Sequence, residues 1–255
     1  MVKVLNLQKT VKKAVCKLTG ENVEVMGCSR TDAGVHAINY TANLKTAAPI
    51  PSESFYKALN PFLPPDIKAK TSCEVGEDFH SVYSAVRKTY RYYFYFGETE
   101  HPLYQNRAWQ AAKKIDVSED EILKLTNEAC GFFIGKHDFS AFKAVGGLAK
   151  TSERTIFSAE VKKCGENMYF LEICGDGFLY NMVRIIVGTL VGVALGRFVP
   201  EDISAIIESK DRKKAVSVFQ GKDFYLKVSP GNAQQPIAGR LMARTGVGKA
   251  WREVA

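Results

Sequence analysis

Residues 27–37 read GCSRTDAGVHA and are the most informative segment of the chain. VEVMG, which ends at Gly27, and VHAINYTANLKT, which follows Gly34, both alternate as β-strands do. The polar residues between them predict a tight turn at the end of a strand, with Asp32 followed by Ala33 and Gly34. A scaffold can present a reactive carboxylate at such a turn, although most turns of this kind only cap local amides.

The residues around this segment predict a first lobe of helices and strands. VKKAVCKLTG predicts a helix that ends at Gly20, and PSESFYKALNPFL predicts a capped helix that stops before Pro64 and Pro65. DIKAKTSCEV then predicts a further strand. We therefore assign residues 1–78 to an N-terminal α/β lobe.

The remaining sequence predicts a second lobe and a tail. TYRYYFYFG predicts an aromatic strand, SEDEILKLTNEACGFFIG an amphipathic helix, and ERTIFSAEVKKCG with NMYFLEICGDG a hairpin around Gly165. A long helix from Phe178, a shorter helix EDISAIIESK and a last strand DFYLKVSP follow. We assign residues 79–230 to a C-terminal α/β lobe and residues 231–255 to a basic, disordered tail. These elements predict an α+β chain built around antiparallel sheet.

The composition favours a globular protein with a polyanionic partner. The chain has 255 residues, of which 46% are hydrophobic, and this excludes disorder for most of its length. Lysine and arginine number 35 against 27 acids, so the net charge is +8, a balance that favours nucleic acid but is also common among soluble enzymes.

The sequence also makes predictions about membrane insertion, cellular location and metal binding. The uncharged part of the apolar segment 178–198 runs only over 185–196, well short of the ~20 residues that cross a bilayer, so we expect a buried helix. The opening residues lack the apolar core of a signal peptide, which predicts a cytoplasmic location. The six cysteines form no C-x-x-C pair, so we expect no metal site and no disulfide framework.

Three separated segments resemble the motifs of the TruA family of tRNA pseudouridine synthases. They are GCSRTDAGVHA, RKTYRYYFY and GDGFLYNMVRIIVGTL, at residues 27–37, 87–95 and 175–190, and they occur in the family's order. HDFSAFKAVGG and SERTIFSAEV are also similar, so the resemblance covers about residues 9–228. It implies a two-lobed pseudouridine-synthase fold with a largely antiparallel central sheet flanked by helices. It also implies an isomerase that converts uridine to pseudouridine in the anticodon stem-loop of tRNA, at positions 38, 39 and 40, as a homodimer without a metal or organic cofactor.

The resemblance also implies roles for individual residues. Asp32 matches the catalytic aspartate, whose carboxylate assists cleavage of the bond from N1 to the ribose either as a nucleophile at C1′ or as a base on the sugar. Arg184 matches the arginine of the third motif and is expected to pair with Asp32 and keep it ionised. Tyr90 matches the tyrosine that packs on the target base, with a core aromatic in a strand as the structural alternative.

Two further residues are expected to bind substrate. Arg30 matches the family's arginine two residues before the catalytic aspartate, where it occupies the space left by the flipped base or holds a phosphate. His36 is assigned to substrate binding rather than to a metal, because His36 and Asp32 have no further clustered ligands.

The chain also departs from the family pattern. Family members begin with a further strand carrying a Tyr-Asp-Gly segment, and no such strand precedes the helix that starts near Gln8. This leaves open either a misplaced start codon or a sheet that lost an edge element. Two alternative functions remain: an RNA-binding protein of the same fold with impaired catalysis, and an Asp-dependent hydrolase of a small anionic substrate, which offers no role for Arg184.

Overall fold

The computed structural model describes residues 7–29, 35–104, 107–147, 149–216, 224–230 and 240–243. The chain forms two compact units. The first contains the residues up to Ser84 together with those from Asn232 onward, and the second is Ala85–Gly231. The division at Ser84 lies slightly further along the chain than the boundary at residue 78 that the sequence predicts.

The described residues contain five α-helices and ten strands. The helices are α1 (Leu7–Thr19), α2 (Phe55–Leu59), α3 (Glu119–Gly131), α4 (Met182–Ala194) and α5 (Asp202–Ser209). The strands are β1 (Val25–Gly27), β2 (Val35–Leu44), β3 (Ile67–Thr71), β4 (Ala85–Phe96), β5 (Trp109–Ala112), β6 (Gly135–Asp138), β7 (Glu153–Gly165), β8 (Met168–Gly175), β9 (Phe224–Pro230) and β10 (Arg240–Ala243). This mixture of helices with mainly antiparallel sheet confirms the predicted α+β class.

The first unit packs α1 and α2 against short strands. Helix α1 buries Leu7, Val11, Ala14 and Val15, which share one helix face, and it ends as predicted at Gly20, whose φ of 74° suits only glycine well. The single helix predicted over PSESFYKALNPFL is instead the short α2 between two 3₁₀ turns. Proline lacks a backbone N–H, so Pro61 cannot continue the α-helical hydrogen bonding.

The sheet of the first unit incorporates a strand from the C-terminal segment. Strand β10 lies between β3 and β2 and is antiparallel to both, and β1 pairs with β2. The prediction of a disordered tail over 231–255 is therefore corrected for residues 240–243. These four residues lack an alternating pattern long enough to indicate a strand, and their partners β2 and β3 are distant in sequence.

The second unit contains the longer strands. Its strands run in the order β9–β4–β8–β7–β6 with antiparallel neighbours, and β5 is parallel to β4. The hairpin predicted around Gly165 is confirmed, with Asn167 at a φ of 50° in its turn. Helix α3 packs on β7 and on α4, and α4 packs on β4. Ser118 caps α3 by accepting a hydrogen bond from the amide of Glu121, at 3.2 Å.

Helix α4 forms the centre of the second unit. All 13 of its residues are buried, as the sequence predicts for a core helix. The helix begins at Met182 rather than at Phe178, because Asn181 has a φ of 59° and interrupts the helical conformation before it. No helix in the described part of the chain combines the length and the apolar character that crossing a membrane requires.

Candidate active site

The segment that carries the predicted catalytic carboxylate connects β1 to β2. Arg30 and Asp32 fall within residues 30–34, which lie outside the described residues, so their roles stay predictions. Both flanks of this segment are described: Ser29 precedes it, and Val35 begins β2 directly after it. The geometry of these flanks therefore sets the ends of the segment.

Strand β2 holds the flank that precedes the segment. The amide of Cys28 donates a hydrogen bond to the carbonyl oxygen of Thr41 at 2.9 Å, and the hydroxyl of Tyr40 donates one to the carbonyl oxygen of Ser29 at 2.6 Å. Tyr40 is only 3% exposed, so its hydrogen bond is shielded from water. Gly27 ends β1 at this point and pairs with Ala42 of β2.

Ser81, a buried residue outside the first motif, makes hydrogen bonds to both β1 and β2. The hydroxyl of Ser81 donates to the carbonyl oxygen of Met26 at 3.0 Å, and its amide donates to Oδ1 of Asn43 at 3.0 Å. Ser81 is 2% exposed. It therefore connects β1 and β2 close to the predicted catalytic segment, a role that no local pattern around Ser81 could have indicated.

His36 is the second residue of β2 and is 7% exposed. The sequence assigns it to substrate binding, and the structure places its ring in the interior of the molecule. Its role in binding substrate stays a prediction.

Tyr90 lies in the middle of β4 in the second unit. It is paired with Ile173 of β8 and with Leu226 of β9, and its side chain is half-buried. Its ring meets Phe178 edge to face, with 5.0 Å between centroids and an angle of 81° between the rings. By contrast, Tyr92 and Phe94 of the same strand are 1% and 0% exposed and belong to the core.

The segment that supplies Phe178 is fixed to β7 by close backbone contact. The amide of Asp176 donates to the carbonyl oxygen of Thr155 at 3.0 Å, and Oδ1 of Asp176 accepts from the Thr155 amide at 3.0 Å. A Cβ atom on Gly175 would lie 2.9 Å from both the Thr155 carbonyl oxygen and Cδ1 of Ile156, so the glycine permits this approach. Phe178 was not singled out from the sequence, although it belongs to the third motif.

Arg184 occupies the first turn of α4 and is 8% exposed. The sequence of α4 contains no other charged residue. A buried guanidinium is costly unless anions or several acceptors surround it. The predicted pairing of Arg184 with Asp32 stays a prediction, because Asp32 is not among the described residues. Arg184 and Tyr90 belong to the second unit, on elements that pack against each other, whereas His36 belongs to the first.

Metal ligands do not cluster in the described ranges, and the thiol of Cys130 is deeply buried. No group of three or more histidine, cysteine, aspartate or glutamate side chains in these ranges lies close enough to hold a metal ion. All six cysteines lie in these ranges, and none is in a disulfide bond. Burial raises the pKa of the Cys130 thiol to about 12, so this thiol is protonated and unreactive at neutral pH.

Comparison with known proteins gives consistent matches across the chain. A family model described as tRNA pseudouridine synthase matches residues 3–84 and 129–228. The chain is 45% identical over 224 residues to tRNA pseudouridine synthase A 2 of Clostridium tetani, covering 88% of each protein. It is 44% identical to tRNA pseudouridine synthase A of Acetivibrio thermocellus, over 86% of this chain and 87% of that protein. It is 47% identical to tRNA pseudouridine synthase A 2 of Clostridium perfringens, over 82% of this chain and 83% of that protein.

Proposed function

Since the chain belongs to the tRNA pseudouridine synthase family and is therefore an isomerase that acts on uridine in tRNA, we propose that its targets are positions 38, 39 and 40 in the anticodon stem-loop. The three motifs match the TruA type in content and order, and the relatives carry the corresponding name. The position of the target uridines rests on this resemblance.

The proposed chemistry centres on Asp32. In the isomerisation, the bond from N1 of uracil to C1′ breaks and a bond from C5 to C1′ forms, while C5 loses a proton and N1 gains one. The Asp32 carboxylate assists the first step, either by attacking C1′ or by removing a proton from the sugar. The groups in this scheme are side chains and substrate atoms, so the reaction needs no metal or organic cofactor.

The observation that carries the proposed role of Asp32 is the burial of Arg184. An apolar residue would fill this position in α4 at a lower desolvation cost, so an arginine here supports a functional anionic partner. We propose that this partner is Asp32, whose charge Arg184 stabilises and whose orientation its planar guanidinium fixes. A purely structural ion pair is the alternative reading of the same burial.

Tyr90 is proposed to hold the uracil while the base is detached. The Tyr90 ring is half-buried and makes a T-shaped contact with Phe178, and a partly exposed ring of this kind can stack on a base. Arg30 is proposed to occupy the space of the flipped base or to bind a phosphate, and His36 to contact the substrate. We further propose that the enzyme works as a homodimer in the cytoplasm, where its tRNA substrate occurs.

Mapping of pseudouridine in an unmodified tRNA transcript tests the proposal. After incubation with the full chain, we expect pseudouridine in the anticodon arm, and we expect none with Asp32→Asn. Tight tRNA binding without any pseudouridine would favour the RNA-binding alternative. Hydrolysis of small anionic esters without RNA, at a rate that depends on Asp32, would favour the hydrolase alternative.

The net charge provides an independent check on the RNA contact. If the +8 charge includes side chains that follow the phosphate backbone, the affinity for tRNA falls steeply with salt because bound counterions are released on association. An affinity that stays constant between low and moderate salt would contradict this electrostatic contribution.

A further inference from the structure

A single tyrosine side chain anchors the segment that carries Asp32. We propose that Tyr40 is a positioning residue for this segment: its hydroxyl fixes the carbonyl group of Ser29, the residue from which the segment begins. The inference rests on the proposed catalytic role of Asp32, and it adds a residue that lies outside the three motifs.

The position of Tyr40 allows it to constrain both ends of the segment. Its hydroxyl reaches Ser29, the residue before the segment, at 2.6 Å. Its backbone belongs to β2, the strand that begins at Val35, the residue after the segment. Because both ends are tied to one strand, a shift of the Ser29 flank relative to Val35 requires the loss of the hydrogen bond from Tyr40.

The hydroxyl acts on a whole peptide unit. Peptide bonds are planar, so a hydrogen bond to a carbonyl oxygen constrains the whole peptide group to which that oxygen belongs. The hydrogen bond from Tyr40 therefore constrains the backbone at the point where the segment begins. The neighbouring hydrogen bond from the Cys28 amide to the Thr41 carbonyl oxygen, at 2.9 Å, prevents the strand end from rotating about this contact.

Gly27 makes room for the contact. A Cβ atom at this position would lie 2.1 Å from the hydroxyl oxygen of Tyr40 and 2.7 Å and 2.8 Å from two of its ring carbons. Tyr40 is 3% exposed and its ring atoms belong to the rigid interior, so the clash cannot be relieved by a small movement. The absence of a side chain at Gly27 is therefore a condition for the hydroxyl of Tyr40 to reach Ser29.

Replacement of Tyr40 by phenylalanine tests the inference, because it removes the hydroxyl and keeps the ring. We expect turnover of tRNA to fall by about tenfold or more, since small displacements of a reacting group reduce rate strongly. The dissociation constant for tRNA should change by less than about twofold, because Tyr40 is largely buried and its hydroxyl is bonded to the backbone. The loss therefore appears in kcat rather than in binding.

Tyr95→Phe is the matched control. Tyr95 is 7% exposed, and its hydroxyl accepts a hydrogen bond from the backbone amide of His101 at 3.1 Å. It ends the second motif, where no role is assigned to it, and it lies far in sequence from residues 27–37. Both substitutions remove one partly buried hydrogen bond between a tyrosine hydroxyl and the backbone. If Tyr40→Phe and Tyr95→Phe lower kcat equally, Tyr40 has only a structural role and the inference is wrong.

A measurement that does not need activity separates this inference from the proposed function. Hydrogen–deuterium exchange should increase in the peptide covering residues 28–35 for Tyr40→Phe and should not change there for Tyr95→Phe. Unchanged exchange in that peptide overturns the inference even if the enzyme is active. If the unsubstituted chain forms no pseudouridine, the proposed function fails, and the exchange experiment still decides whether Tyr40 anchors the segment.

Gly27→Ala provides a second variant that acts on the same contact from the opposite side. The added methyl group should displace the Tyr40 hydroxyl, lower kcat at least as much as Tyr40→Phe, and increase exchange over the same peptide. Full turnover in Gly27→Ala would contradict the inference.

Discussion

Each unit contains one asparagine whose side-chain amide pairs with both backbone groups of a single strand residue. In the first unit, Asn60 donates to the carbonyl oxygen of Ala69 at 3.0 Å and accepts from its amide at 2.8 Å. In the second, Asn127 of α3 makes the same two contacts with Val161 of β7, at 3.0 Å and 2.8 Å. We call this pair of hydrogen bonds an asparagine brace. The brace is the same in both units, but the two strands differ in how they pair with other strands.

Strand β7 pairs with the strands that precede and follow it in the sequence, whereas β3 pairs with a strand that is distant in the sequence. β7 forms a hairpin with β8, which in turn pairs with β4 over an unbroken run from Lys88 to Tyr95. β3 joins the rest of its sheet through β10, four residues that follow the entire second unit in the chain. The comparison teaches that Tyr90 and Arg184 lie in a unit formed by one continuous stretch of chain, while Asp32 belongs to a unit that also needs a segment from beyond that stretch.

The largest expected effect is the loss of turnover on substitution of Asp32 in the first unit, compared with substitution of Arg184 in the second. Asp32→Asn should lower turnover at least about a thousandfold while folding and tRNA binding persist, because asparagine keeps the size of aspartate and removes its charge and nucleophilic oxygen. Arg184→Lys should lose activity to an intermediate degree and also lose stability, because lysine keeps the charge but lacks the planar fork at a buried site. Pseudouridine assays, circular dichroism and thermal unfolding measure the two variants side by side.

Near-normal turnover in Asp32→Asn, with folding confirmed, would show that the assigned mechanism is wrong for this chain.

The next effect compares the two cores. Leu190 of α4 is 0% exposed and Leu59 of α2 is 3% exposed. Leu190→Ala should lower the free energy of unfolding by about 3–5 kcal/mol and Leu59→Ala by about 2–3 kcal/mol, because the cavity beside a short helix relaxes more easily. Urea denaturation gives both values, and a larger loss for Leu59→Ala would reverse the ranking of the two units.

A smaller effect tests the dependence of the first unit on β10. Proline has no backbone N–H and fits only edge strands, so Leu241→Pro should disturb the pairing of β10 with β2 and β3 and cost about 1–3 kcal/mol. Leu241→Val, which keeps the N–H and favours a strand, is the control. Exchange should rise in peptides from β2 and β3 and stay unchanged in β8.

If Leu241→Pro unfolds no differently from Leu241→Val, β10 does not stabilise the first unit.

The smallest effect concerns the two asparagine braces. Asn60→Ala and Asn127→Ala should each cost about 1–2 kcal/mol, because a backbone amide and a carbonyl lose their partner in a shielded position. Exchange should increase near Ala69 in the first variant and near Val161 in the second. An increase that spreads across both units in either variant would argue against two separately braced units.

Much of the fold follows from local patterns in the sequence. The buried face of α1, the aromatic alternation of β4 and the turn between β7 and β8 are each encoded within a few residues, and the structure confirms them. β5 and β10 could not be found in this way, because each has four residues and is defined by partners elsewhere in the chain. A strand of that length has too few positions for its alternation to differ from chance.

The candidate site shows the same division between local and distant information. The motifs indicate Asp32, Tyr90 and Arg184 because their spacing lies within short segments. Tyr40 and Ser81 act on the flanks of the first motif through contacts to Ser29 and Met26, and such contacts follow from strand register rather than from residue type. Register depends on the folded sheet as a whole, which is why these two residues became evident only in three dimensions.

The late position of β10 in the chain also affects how the protein is made. On the ribosome, β2 and β3 emerge long before Arg240, and at about 5–20 residues per second the interval after Thr71 lasts roughly ten to thirty seconds. During this time the strands of the second unit, from β4 to β9, are synthesised and can fold as a nascent domain. The backbone groups of β2 and β3 that pair with β10 meanwhile lack this partner. The first unit to be translated is therefore the last to be completed, and chaperone binding to nascent chains should concentrate on β2 and β3.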